Sequence, residues 1–356
     1  MKHSLASRLP APLRKLLRPL LDPYRRYRHA RVIHAVRVSL GLLATILLTT
    51  GINLPHGEWA SITMLVVIGG LQHHGNIGKK AKERAYGTLI GAGVGLLLLL
   101  QHAYFGLPIV TYLSISVVCG FFAYHAIGKG GYTALLSAIT VFIVVGHGDN
   151  PVADGLWRTV DILIGNALAL AFSFALPLYA VFSWRYKLAS ALRDCAAIHG
   201  RIISGQSVTD DDYTKQVSQV NGAMVQLRSL MPSVSKEVRI SVTELDAIQR
   251  NLRMCISTLE ILANTRPGGE VMAQLQLSLK AEHRQIRVQL IGMARALQTG
   301  ISERLERKVA GVEKDDLLQE PVYSALDGYR LLTLQLAANV DEMRGRLAQS
   351  SGRWRI

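Results

Sequence analysis

ERAYGTLIGAGVGLLLLL, residues 83–100, is the stretch on which the fold turns. From Ala85 to Leu100 it carries no charge. A bilayer core of ~30 Å needs roughly 17–25 helical residues, so this run crosses only with help from its flanks. Gly87, Gly91 and Gly95 recur at a spacing of four and share one helical stripe. Such a stripe lets a second helix approach closely, or presents bare backbone to a passage.

Five further apolar runs surround it, at 38–54, 59–71, 107–127, 131–146 and 159–182. Runs near fifteen residues also occur as buried helices of soluble proteins. Six of them in about 150 residues, with so few charges, argue for lipid. The joins supply a separate test. Segments 53–58, 101–106 and 147–157 contain no Lys or Arg. Segment 72–84 carries Lys79, Lys80, Lys82 and Arg84, segment 128–130 carries Lys129, and Arg185 and Lys187 follow the sixth run. Basic and base-free joins alternate, and the positive-inside rule places both termini in the cytoplasm.

The whole chain of 356 residues fits this reading, with 49% hydrophobic residues, 18% charged residues and a positive mean hydropathy. Of the formal net charge of +15, residues 1–37 hold +9. That excess adjoins apolar runs, so anionic lipid headgroups are the expected partner and nucleic acid is not. Within 1–31, Leu9, Leu13, Leu16, Leu17 and Leu20 lie at helical spacing among Arg8, Arg14, Lys15 and Arg18. This reads as a basic amphipathic segment on the membrane surface, or as a basic tail. The first 30 residues have no long apolar core, so no cleavable signal peptide is expected and the first run acts as an anchor. Cys119, Cys195 and Cys255 have no metal spacing.

Residues 184–356 read as helical. Leu245, Ile248, Leu252, Cys255, Leu259 and Leu262 alternate by threes and fours. Ile286, Leu290, Met293 and Leu297 do the same, as do Leu336, Val340, Met343 and Leu347. Such narrow stripes suit a bundle or coiled coil. Breaks at Gly205 to Asp212, at Pro267 to Gly269 and around Gly311 to Pro321 predict about four helices. Pro232 is expected to kink or end one of them. The predicted chain is thus all-α and polytopic. A segment 1–31 precedes about six transmembrane helices within 32–183, and a cytoplasmic helical domain fills 184–356.

Ionisable residues in or near spans are costly and become functional candidates. Here they are Arg37, Glu58, Arg84, Lys129, Arg158 and Asp161. Snorkelling to headgroups is the competing account for Arg37 and Lys129, and an interfacial place beside Trp59 that for Glu58. Arg158 and Asp161 are three apart, so a local ion pair competes with gating or proton coupling. Arg84-x-x-Gly87-x-x-x-Gly91 is echoed by Arg158-x-x-Asp161-x-x-x-Gly165, 74 residues and three runs later. An odd number of crossings reverses direction, which is the mark of inverted repeats with a site between them. His73 and His74 are adjacent and diverge on a helix, so no metal is expected there. No phosphate-binding loop, nucleophile elbow or zinc motif occurs, and neither an enzyme nor a cofactor is expected.

HGEWASITMLVV, ERAYGTLIGAGVGLLL and WRTVDILIGNALALAF together resemble the fusaric acid resistance, or aromatic acid exporter, family of inner-membrane proteins. The matching positions are Trp59, Thr63, Arg84, Gly87, Thr88, Gly91, Arg158, Asp161 and Gly165, over roughly residues 30–185. More distantly the chain is similar to plant aluminium-activated malate transporters. The resemblance implies export of aromatic or other organic acids. It also implies, for some members, a periplasmic adaptor protein and a small membrane protein as partners. Longer members have two membrane halves and this chain has one, which favours a homodimer. Candidate transport residues are Arg37, Trp59, Thr63, Arg84, Thr88, Arg158, Asp161 and Asn166, with Gly87, Gly91, Gly95 and Gly165 for helix packing. In an exporter Arg84 and Arg158 attract a carboxylate and Asp161 takes up a proton. An anion channel, or a membrane scaffold whose cytoplasmic bundle binds a partner, are the alternatives.

Overall fold

The computed structural model describes residues 23–70, 73–148, 151–175, 177–204, 211–265, 269–306 and 325–354. These are helical throughout, apart from turns and one isolated β-bridge between His73 and Leu178. The chain divides into two compact units, residues 28–178 and residues 1–27 with 179–356.

The first unit contains six helices, after a short α1 (Pro23–Arg28). They are α2 (Ala30–Gly51), α3 (Glu58–Ile68), α4 (His74–Phe105), α5 (Pro108–Ile127), α6 (Gly131–Val145) and α7 (Val152–Ala175). Among the described residues, α2, α4, α5 and α7 are long and apolar enough to cross a bilayer. At 11 and 15 residues, α3 and α6 are shorter. With a rise of 1.5 Å per residue they reach only ~16 Å and ~22 Å. Outward side chains such as Leu47, Leu97, Val117 and Ile127 are apolar and 62–93% exposed, which in water would be a large liability and in lipid is none.

The joins follow local chemistry. Gly106 takes φ +63° to close α4, and Pro108 opens α5 at a position where its missing N–H costs nothing. The sixth apolar run extends to 182 on paper, yet α7 stops at Ala175. Pro177 cannot continue the helix and disfavours helical backbone before it. Residues 180–182 belong to the next helix instead.

Close approaches fix the helix directions. Gly41 of α2 lies against Met64 of α3 and Phe172 of α7, and Gly57 lies against Thr49. Gly87, Gly91 and Gly95 of α4 meet, in ascending order, Thr133 to Ser137, Ser137 to Thr140, and Val141 to Val144 of α6. Hence α4 runs parallel to α6. Gly165 of α7 meets Ala60 and Thr63, and Ala169 shares a cluster with Met64 and Ile68, so α7 runs parallel to α3. Gly155 meets Leu99 while Asn166 meets Thr88, so α4 and α7 are antiparallel. Thr45 and Thr49 return their hydroxyls to the Gly41 and Thr45 carbonyls, which satisfies them without water.

The second unit holds α8 (Ala180–Ser204), α9 (Asp211–Val238), α10 (Val242–Asn264), α11 (Gly269–Ser278), α12 (Lys280–Thr299), α13 (Glu303–Glu306) and α14 (Ala325–Ser350). All three heptad-like stripes face its core, with every named member at most 3% exposed. Four helices is therefore too low a count. The boundary after α9 carries no Gly or Pro: Arg239 adopts φ +55° and Ser241 caps α10 by accepting the Glu244 N–H at 3.1 Å. Pro232 does not end α9, which runs six residues further with Ser233, Val234 and Val238 buried. Residues 1–22, most of the predicted amphipathic segment, and the predicted break at 311–321 lie outside the described residues.

Several polar contacts fix this unit. Glu237 accepts the Ala180 and Val181 N–H groups at 3.0 and 2.9 Å, an anion at the start of α8. Buried Arg185 donates to the Leu297 and Trp354 carbonyls, and the Trp184 and Trp354 rings stack 4.8 Å apart. His199 and His283 are buried with ring nitrogens 3.2 Å apart. Burial, then the neighbouring His283 and Arg287, hold the His199 pKa down at about 3.

Candidate functional site

The unit 28–178 has two chemically distinct ends. One carries the starts of α2, α4 and α6 with their bases, and is called the basic end. The other carries the base-free joins before α3, α5 and α7.

Two cations are buried near the basic end. Arg37 is 0% exposed and holds His34 Nδ1 at 2.8 Å, three residues back on the same helix. Arg84 is 4% exposed and donates from Nη2 to the Val66 carbonyl at 3.3 Å. The Tyr132 ring lies 5.4 Å from the Arg84 guanidinium and 4.1 Å from Lys80 Nζ. Among the described residues, Nε and Nη1 of both arginines have no hydrogen-bond partner and neither arginine meets a carboxylate. A buried guanidinium with idle donors strongly favours an incoming anion, since desolvation has already been suffered. His34 and Tyr132 were not legible as candidates; only the i−3 spacing of His34 hints at its role.

The opposite end has another character. Arg158 donates from Nη1 to the Ile143 carbonyl at 3.1 Å and lies 5.8 Å from the centre of the Trp59 ring. Asp161 is 0% exposed, and both of its oxygens lack a hydrogen-bond partner among the described residues. The Arg158–Asp161 ion pair weighed from their spacing is therefore not formed. Sharing a helical face does not force contact when Arg158 reaches instead toward the end of α6. The charged groups that act on Asp161 are Glu58 and His56. His56, at φ +60°, also stands 3.8 Å from Glu58 and 3.7 Å from Asp154.

Between the ends, Asn166 donates to the Thr88 hydroxyl at 2.9 Å and ties α7 to α4. Thr63 sits against Gly165, its hydroxyl without a partner among the described residues. The candidates thus fall into three places rather than one pocket. Arg37 and Arg84 are near the basic end, Thr63, Thr88 and Asn166 in the middle, and Trp59, Arg158 and Asp161 toward the other end. Among the described residues no group of three or more His, Cys, Asp or Glu is arranged to hold a metal.

An all-helical, lipid-facing unit with several helices long enough to cross a bilayer defines a multi-pass membrane protein. Residues 42–172 match the family described as fusaric acid resistance protein-like. The chain is 30% identical over 287 residues to the Escherichia coli (strain K12) protein named inner membrane protein YeeA, spanning 79% of this chain and 80% of that one. It is 27% identical over 206 residues to proteins of Mycobacterium bovis and Mycobacterium tuberculosis named "Putative arylamide transporter", spanning 52% of this chain and 56% of theirs. The chain belongs to the fusaric acid resistance protein-like family. It is a multi-pass inner-membrane protein in contact with lipid, and membrane transport, not catalysis, is the role to which family and relatives point.

Proposed function

We propose that this protein exports aromatic and other organic acids by proton-coupled transport. The observation that carries the reading is the pair Arg37 and Arg84: two buried guanidiniums near one end of the unit with idle N–H groups and no carboxylate partner among the described residues. A carboxylate-bearing substrate supplies the missing charge. Asp161, buried toward the far end and without a hydrogen-bond partner among the described residues, takes up the coupling proton. All six helices α2–α7 act as the membrane-crossing set, with the basic end and both termini in the cytoplasm. The unit formed by residues 179–356 is then cytoplasmic. The chain works as a homodimer, with a periplasmic adaptor and a small membrane protein as candidate partners. The mycobacterial relatives' name adds aryl amides to the compounds worth testing.

The test is efflux from cells with and without the protein, across a panel of aromatic carboxylates, aliphatic carboxylates and aryl amides. Carboxylate efflux is expected to exceed the control and to collapse with a protonophore. Arg37→Ala and Arg84→Ala are each expected to lower it at unchanged membrane content. Efflux of no carboxylate above control, or only of uncharged amides, overturns the reading.

A further inference from the structure

The α3–α4 part of the triplet α2–α4 recurs as the α6–α7 part of the triplet α5–α7. Adding 77 to α3 gives α6: Ile62-Thr63 becomes Ile139-Thr140, Val67 becomes Val144, and Gly69 becomes Gly146. Adding 74 to α4 gives α7: Arg84 becomes Arg158, and Leu89-Ile90-Gly91 becomes Leu163-Ile164-Gly165. Contacts obey the same two offsets. The Gly69 N–H donates to the Leu65 carbonyl at 2.8 Å, and the Gly146 N–H donates to Phe142 at 2.8 Å. Arg84 reaches Val66, and Arg158 reaches Ile143. Gly91 rests on Ser137 and Thr140, and Gly165 rests on Ala60 and Thr63. Since α4 and α7 are antiparallel, the copies are inverted, with Thr88 and Asn166 meeting where they cross.

This register changes what the two arginines mean. Each copy contains one short apolar helix, α3 or α6, whose end lies within the membrane-spanning unit. A helix leaves its last four carbonyls without internal partners, and lipid offers none. In each copy the final glycine N–H takes one of those carbonyls and the arginine takes the next. A guanidinium has the reach and the donors for this, and its charge suits the negative end of the helix dipole. Beyond each short helix lies a seam with the other copy, where a glycine of α4 or α7 presses on a threonine. Thr63 is 8% exposed and Thr140 is 3% exposed, so both seams are shut.

We propose that Arg84 and Arg158 are equivalent latches on opposite ends of a passage that follows the two glycine seams. Release of Arg84 from Val66 frees the end of α3 and opens the basic end. Release of Arg158 from Ile143 frees the end of α6 and opens the other. Either latch alone keeps the passage closed to through-flow. The proposal supplies a path for the transport reading but does not depend on which compound is carried.

The test reads access to a thiol and needs no substrate. Thr63→Cys and Thr140→Cys are made separately in the full chain carrying Cys119→Ser, with the unsubstituted Cys119→Ser chain as blank. A membrane-impermeant maleimide is applied to sealed vesicles of each orientation. Arg84→Gln is expected to raise labelling at position 63 at least tenfold from the basic-end side, with under a twofold change at position 140. Arg158→Gln is expected to do the mirror image, at position 140 and from the opposite side. Should a Gln variant not accumulate, Arg84→Lys or Arg158→Lys replaces it, with at least a threefold rise expected on the matched side only. Equal rises at both positions or from both sides, or no rise at all, overturn the latches. Mirrored labelling in a protein that moves no organic acid would leave the latches standing and remove the export reading.

Discussion

Replacing Gly91 with Ala adds one methyl group where the helices α4 and α6 touch. The new Cβ would lie 2.5 Å from the Ser137 carbonyl oxygen, 2.6 Å from Thr140 Cβ and 3.0 Å from Ser137 Cα. Two of those atoms are backbone, so no rotamer change relieves the clash. The helices must part by roughly 1 Å along a seam that Gly87 and Gly95 also line, and overpacking of this kind costs about 1–3 kcal/mol. Gly93, two residues away on the same helix, has no atom within 4 Å of the place a Cβ would take. Gly93→Ala there is neutral or gains up to about 1 kcal/mol of helix propensity. For a unit of this size 1 kcal/mol moves Tm by roughly 2–4 °C. Gly91→Ala is therefore expected to melt about 2–12 °C below the parent in detergent, with Gly93→Ala at or slightly above it. The assay is thermal unfolding of the purified full chain, read by loss of helical circular dichroism. Equal melting of the two variants would refute the close contact of α4 with α6, and with it the parallel placement of those helices.

Gly165→Ala, the equivalent change in the second copy, is expected to lower Tm over the same range, since its Cβ meets the Ala60 carbonyl and Thr63; a variant as stable as Gly93→Ala would break the equivalence. Glu237→Gln removes the anion that accepts two N–H groups at the start of α8 and is expected to cost about 1–3 kcal/mol, measured by denaturant titration. His199 is held neutral at about 3 when folded, against 6.5 when free, so only the unfolded chain gains that proton between those values. Stability is then unaffected above about pH 6.5 and falls by up to about 1.4 kcal/mol per pH unit below it. Melting at pH 7.5 and pH 5 measures this, and His199→Leu should reduce the difference, with buried His283, also shifted down, supplying part of what remains. Asp161→Asn keeps the shape and removes a buried charge that has no partner among the described residues, so Tm is expected to hold or rise while protonophore-sensitive efflux is lost. An Asn variant that still shows such efflux removes Asp161 from coupling.

How much of this was legible beforehand depended on the kind of signal. Apolar runs and stripes report burial directly, so the six helices of the first unit and the core faces of α10, α12 and α14 could be placed from sequence. Ends were harder. Pro177 stops α7 seven residues before the apolar run does, and Arg239 with Ser241 breaks a helix without Gly or Pro. The echo of Arg84 in Arg158 was visible, but its use was not. Spacing along one helix suggested a bond to Asp161, whereas the bond formed goes to Ile143, a carbonyl on another helix. Only contacts across helices reveal that Ile62-Thr63 and Ile139-Thr140 are counterparts. Their offset of 77 differs from the 74 of the neighbouring helices, so no single period runs through the sequence.

The glycine seams have a consequence for how the unit can be divided. Gly91 of the first triplet is seated on α6 of the second, and Gly165 of the second is seated on α3 of the first. The triplets are therefore threaded through one another like clasped hands, not set side by side. Cleaving the chain at Gly106 would leave each fragment with a naked groove shaped for its counterpart. Neither fragment made by itself has anything to fill that groove, and only synthesis of both in one membrane restores the clasp.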